Sequence, residues 1–298
     1  MRSEIALAEY CLAFFSSFST VVLLYLISKI KSPRTLWNDS PPLFCLLVTV
    51  FAWALATSNA AIQWILFTSD VFAVTSGNIV FVHCSGVATI TMKRFYYCST
   101  IGVFAQRLYY VTFPFKQPPY LNAVIVVVTV TVGLTVNTVL AWAAVSSNYS
   151  VSLFNKECYS LNCIPISTNI VPLRKVGNYV DLTLFSTTLL LGALTNTTIY
   201  LRLKSNFQSI QNIKANRFAR YLFFVQFLLE ALPFLTDLLV TNVVGTRLGE
   251  YIGPYGTVAG SVDMFACTLA YYLITRKRHA IVKSSSSRQV ANLKGTSM

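Results

Sequence analysis

The sequence predicts an all-α membrane protein: a bundle of seven membrane-spanning helices, with the amino terminus outside and the carboxyl terminus in the cytosol. Three observations lead there. Of the 298 residues, 55% are hydrophobic and 11% charged, whereas soluble domains carry roughly a quarter charged residues. The apolar residues gather into long runs, and a helix of about 20 such residues crosses a bilayer. Lysines and arginines fall unequally on the two sides that those runs define, which orients the bundle.

The first run spans about Ala6 to Ser28 and ends at Lys29, Lys31, Pro33 and Arg34. Its apolar core is too long, and its basic lead too short, for a cleaved signal peptide. The second runs from about Pro42 to Phe67, with Pro41 and Pro42 suited to a helix start. After a short turn from Asp70 to Asn78, the third is long, from about Ile79 to Thr112, and the fourth spans about Tyr120 to Val145. A polar segment from Ser146 to Val176 follows. The fifth covers about Gly177 to Leu201, the sixth Phe218 to Val243 and the seventh Gly253 to Thr275. Only Pro233 falls inside a span, where it is expected to kink the sixth helix. Residues 1–277 form the membrane domain, and 278–298 a basic, Ser-rich cytoplasmic tail expected to be disordered near its end.

The net charge of +13 does not point to nucleic acid, because the basic residues lie in short loops between apolar runs rather than on one face of a soluble fold. One side holds Lys29, Lys31, Arg34, Lys116, Arg202, Lys204, Lys214, Arg217, Arg220 and the tail cluster. The other holds only Arg2, Lys156, Arg174, Lys175 and Arg247. A bias of about three to one places the first side in the cytosol. On the outer side, Asn148-Tyr149-Ser150 is a glycosylation acceptor, while Asn38 is cytosolic and Asn196 within the membrane. Cys84, Cys158 and Cys163 lie on that oxidising side, where a local Cys158 to Cys163 bond is one possible pairing.

Ionisable residues within spans carry the chemical information: Lys93 and Arg94 in the third, Asp181 in the fifth, Glu230 and Asp237 in the sixth, Asp263 in the seventh. Such groups are expensive in lipid, face the bundle interior and pair. The expected arrangement pairs Lys93 or Arg94 with Glu230 or Asp263 in a polar core or ligand pocket. The alternative starts the third span at Phe95, leaving both cations outside. No enzyme is indicated. His83 and His279 are far apart, there is no carboxylate-rich metal cluster, and neither a phosphate-binding nor a dinucleotide-binding glycine motif occurs. No cofactor is expected. Gly253, Gly256 and Gly260 form a small-residue ridge expected to pack helices closely.

At the inner end of the third span, Gln106-Arg107-Leu108-Tyr109 is followed by Pro114. An arginine there belongs near the interface, against water or a polar partner. The string resembles the Asp/Glu-Arg-x-Tyr element and following proline of heptahelical receptors, with the acid replaced by Gln106. Together with the seven spans, the Cys-bearing second outer loop and the basic third inner loop, it resembles a G-protein-coupled receptor over about Ala6 to Lys277. The Cys158-Tyr159-Ser160-Leu161-Asn162-Cys163 loop and the Phe-Pro-Phe-Lys ending of the third helix are similar to nematode serpentine chemoreceptors, and within them to the class BC branch. The resemblance implies a plasma-membrane receptor for a small-molecule ligand that activates a heterotrimeric G protein through Gln106, Arg107, Tyr109 and Pro114. It also implies a bridge from Cys84 to the second outer loop. An Asn-Pro-x-x-Tyr element is absent from the seventh span, and Ala231 stands where a tryptophan precedes the sixth-span proline in rhodopsin-like members. The runner-up reading is a transporter or ion channel built on the intramembrane charges.

The orientation predicts glycosylation at Asn148 and an epitope tag at the carboxyl terminus that stains only after permeabilisation. A tag at each end staining intact cells contradicts it.

Overall fold

The computed structural model describes residues 2–69, 71, 76–114, 118, 120–145, 171–203, 210–244 and 254–295. Apart from short turns, these residues are helical, with no strand among them. The elements are α1 (Arg2–Ile30), α2 (Pro33–Asp39), α3 (Pro41–Thr68), α4 (Ser76–Thr112), α5 (Leu121–Val145), α6 (Val171–Leu203), α7 (Ile210–Gln226), a π turn (Phe227–Ala231), α8 (Leu232–Val244) and α9 (Tyr255–Gly295). Six helices are long and apolar enough to cross a membrane: Ser3–Ile30, Pro41–Thr68, Leu121–Leu140, Tyr179–Arg202, Ala215–Thr236 and Tyr255–Arg276. The chain is therefore a multi-pass membrane protein, all-helical over its described residues. α4, which carries Lys93, Arg94 and Arg107, is not among the six.

The outward surfaces fit a hydrocarbon solvent. Phe15, Val127, Trp142, Leu190 and Leu239 are all more than half exposed, an apolar surface that water penalises and lipid does not. Backbone groups are satisfied within helices, as a lipid environment requires.

α4 is the hub. It packs on α3, α5, α6 and α7, while α1 closes against α3 and α9, and α7 touches α6 and α9. Close approach relies on glycine. A Cβ on Gly192 of α6 would stand 2.5 Å from the Phe223 ring and 3.1 Å from the fully buried Phe104 ring. The expected ridge on α9 is only partly a contact. Gly260 abuts Trp53 and Glu230, but a Cβ at Gly256 meets nothing within 4 Å, because Gly256 is the second residue of α9 and exposed. Gly253 lies outside the described residues.

Three local features depart from the sequence reading. α2 is an unforeseen short helix between the first two spans. Ser32 caps it, accepting from the Thr35 amide at 3.3 Å, and Pro33 occupies its first turn, where a missing N–H costs nothing. Near Pro233 the helix read from the sequence as the sixth span contains a π turn that ends two residues before the proline, with the Leu232 amide donating to the Phe227 carbonyl five residues back. The wider turn takes up the backbone displaced by the proline ring. α9 continues to Gly295, through the stretch expected to be disordered. Arg276 to Lys294 contains neither glycine nor proline, and extending an existing helix avoids the nucleation penalty.

These contacts predict opposite outcomes at two glycines. Gly192→Val should lower the thermal stability of the purified protein by about 1–3 kcal/mol through overpacking. Gly256→Ala should be neutral or slightly stabilising, since the helix loses a flexible residue and nothing is displaced.

Candidate functional site

α4 is continuous through Lys93 and Arg94, so both cations lie inside the helix. Neighbouring helical positions point about 100° apart, and the two side chains diverge. Lys93 Nζ lies 2.6 Å from Glu230 Oε2 in the π turn. Arg94 turns to α6, where Nε and Nη2 reach the two Asp181 oxygens at 2.6 and 3.1 Å. The fork geometry suits a planar guanidinium. A Cβ at Gly177 would lie 3.5 Å from Arg94 Nη2, in ordinary contact. Asp181 is thus the partner of Arg94, whereas the sequence reading had set Glu230 or Asp263 against either cation.

Asp263 takes different partners. It is fully buried, its Oδ2 accepts from Tyr96 Oη at 2.7 Å, and Cys267 Sγ donates to Oδ1 at 3.5 Å. Tyr97 Oη donates to Glu230 Oε2 at 2.8 Å, so Lys93 and Tyr97 converge on one carboxylate oxygen. The Lys93 ammonium also lies over the rings of Trp53, at 6.0 Å, and Tyr97, at 5.6 Å. Such faces attract cations. Glu230 Oε1 and Trp53 Nε1 are buried without a hydrogen-bond partner among the described residues. The cluster draws on α3, α4, the π turn and α9, with the pair of Arg94 on α4 and Asp181 on α6 beside it. The side chain of Asp237 lies outside the described ones, as do Asn148, Cys158 and Cys163. Cys84 is half-buried in α4.

Arg107 lies 14 residues further along α4, about 21 Å along the helix axis. It is buried, with Nη2 donating to Gln106 Oε1 at 3.2 Å and the guanidinium over the Tyr110 ring at 5.9 Å. Gln106 is the centre of a polar network. Its Oε1 also accepts from Ser40 Oγ at 2.8 Å, and its Nε2 donates to Asn122 Oδ1 at 2.7 Å. Tyr110 Oη donates to the same Asn122 oxygen at 3.0 Å. Ser40, at the start of α3, makes no capping bond with its side chain; the hydroxyl goes to Gln106 instead. The network therefore joins the ends of α3, α4 and α5. Tyr109 packs at a tilt against Phe113 with ring centroids 5.2 Å apart, α4 ends at Thr112, and Pro114 sits in the turn beyond.

The sequence reading missed Trp53, Tyr96, Tyr97, Ser40 and Asn122. Tyr97 had a signal, being four residues after Lys93 and hence on the same face. Trp53 had none, since only the packing of α3 on α4 brings it there. The chain matches no protein-family model and no curated protein sequence.

Tyr96→Phe should cost about 2 kcal/mol of thermal stability, because it takes from the buried Asp263 its strongest donor. Tyr97→Phe should cost less, since Lys93 still serves the same Glu230 oxygen. Equal losses would contradict this division of roles.

Proposed function

We propose that the chain is a seven-transmembrane receptor of the plasma membrane, with α4 as its third span. It binds a small-molecule cue within the helix bundle and activates a heterotrimeric G protein, as its resemblance to nematode serpentine chemoreceptors implies. The observation that carries this reading is the placement of two separate polar clusters on one helix. The Lys93 cluster sits among α3, α4, the π turn and α9, and the Arg107 cluster about 21 Å away, at the helix end that the basic loops mark as cytosolic. A small molecule at the first can bias the second only by binding two arrangements of the bundle with different affinity.

Gln106 gives the inner cluster a specific role. In the resembling receptors an acid restrains the arginine at rest. Here an amide oxygen accepts from Arg107, while the same side chain ties α3 and α5 to α4. This weaker restraint fits a receptor with some resting activity. Arg107 has no other hydrogen-bond acceptor among the described residues, so it has donors to offer a partner protein. Its burial also argues against mere snorkelling to headgroup phosphate.

The intramembrane ion pairs equally suit a transporter or an ion channel. Cells expressing the chain, screened with volatile and water-soluble odorants while G-protein activation and ion current are recorded together, separate the readings. Current that persists without G protein identifies the second.

In the receptor, Arg107→Ala should abolish signalling at matched surface expression while ligand affinity shifts only by the coupling free energy, about 1–3 kcal/mol. Gln106→Glu should lower basal activity, since a carboxylate accepts from Ser40 and Arg107 more strongly than an amide. An unchanged basal activity and normal signalling by Arg107→Lys would overturn the coupling role.

A further inference from the structure

Glu230 is not on a regular helix. It is the fourth residue of the π turn Phe227–Ala231, which holds one residue more than an α-helical turn, so that relaxing it to α geometry rotates all that follows relative to what precedes. What holds the turn open is visible. The Glu230 carboxylate reaches Lys93 and Tyr97 on α4, and its second oxygen lies against Gly260 of α9, where a Cβ would stand at 3.1 Å. The opposite side of the turn makes no such bond, and Leu228 there is 56% exposed.

The pair is asymmetric. The Lys93 side chain is 30% exposed and that of Glu230 5%. Lys93 has Trp53, Tyr97 and Glu230 around it and keeps part of its surface open. An ammonium has three donors, and Glu230 is the only hydrogen-bonding or ionic partner of Lys93 among the described residues. A competitor entering the bundle meets the cation first, and only an anion can take it. A cation would have to reach the buried Glu230.

We propose that the Lys93–Glu230 pair is a latch that holds the π turn, and that the ligand of this site is a small carboxylate or similar anion which takes Glu230's place on Lys93. Released, the turn relaxes to α-helical hydrogen bonding, and α7, with Arg217 and Arg220, rotates against the rest of the bundle. The ligand part rests on the receptor reading above; the latch does not.

The test uses the full chain in lipid nanodiscs, with nitroxides on keto side chains introduced at the exposed positions Ala123 of α5 and Arg220 of α7, and the distance between them read by pulsed dipolar spectroscopy. One residue of register is about 100° and 1.5 Å, so Lys93→Gln and Glu230→Gln should each shift the distance by about 5 Å. The exchange Lys93→Glu with Glu230→Lys should restore it. Deleting Leu228 removes the inserted residue with the pair's charges intact; the turn closes to α geometry with its flanks in register, so the distance should stay at the wild-type value and Glu230→Gln should no longer move it. Hexanoate should move the wild-type distance toward the variant value, and hexanamide should not. An unchanged distance in Glu230→Gln overturns the latch, as does an exchange that stays shifted or a Glu230→Gln shift that persists in the Leu228 deletion. Hexanoate without effect, or hexanamide equal to it, overturns the anion. Because the distance needs no G protein, a shift in nanodiscs without G-protein activation in cells leaves the latch standing and rejects the receptor.

Discussion

The structure depends on the neutralisation of two adjacent cations on its central helix. An unpaired lysine or arginine in a hydrocarbon medium costs several kcal/mol, and α4 carries both at successive positions. Their directions differ by about 100°, so they require carboxylates from different helices. Asp181 supplies one from α6 and Glu230 the other from the π turn. That requirement sets which helices α4 touches, in which rotation, and why the helix that carries Glu230 is not regular. Replacing both pairs with apolar residues would remove the desolvation penalty, and with it the specification of helix rotation.

Much of the fold was legible because the membrane imposes a coarse code. A span must be long and apolar, and its limits fall at prolines and basic residues; thus α3 begins at Pro41 and α4 ends just before Pro114. Finer features were not legible where they arise from tertiary contact. Phe227 to Ala231 are ordinary helix formers, and nothing in that string announces a π turn. It comes from Pro233 acting with a carboxylate drawn toward α4. The choice of Arg94 for Asp181 was open to simple geometry, since adjacent positions cannot share a partner. That Ser40 would leave its capping role for Gln106 depends on how α2 sets the start of α3 against α4, which no local pattern encodes.

Around that central helix the two polar clusters differ in kind. The Lys93 cluster is ionic, enclosed by aromatic rings and provided with unpartnered buried atoms at Glu230 and Trp53. The cluster at Gln106 is a chain of neutral amide and hydroxyl bonds with one guanidinium attached. Ion pairs in a dry interior are costly to break and hold one arrangement. Neutral networks exchange partners at a lower cost. In the proposed receptor this places the stiff element where the small molecule arrives and the yielding one where the protein partner binds.

The central claim is that Lys93 and Glu230 act as one unit within the bundle. A double-mutant cycle on the purified chain in lipid, with Lys93→Met and Glu230→Met singly and together, measures that unit by thermal unfolding. The account predicts a coupling energy of about 2 kcal/mol, with the double variant more stable than the sum of the single losses implies. Losses that add to within about 0.5 kcal/mol would contradict it.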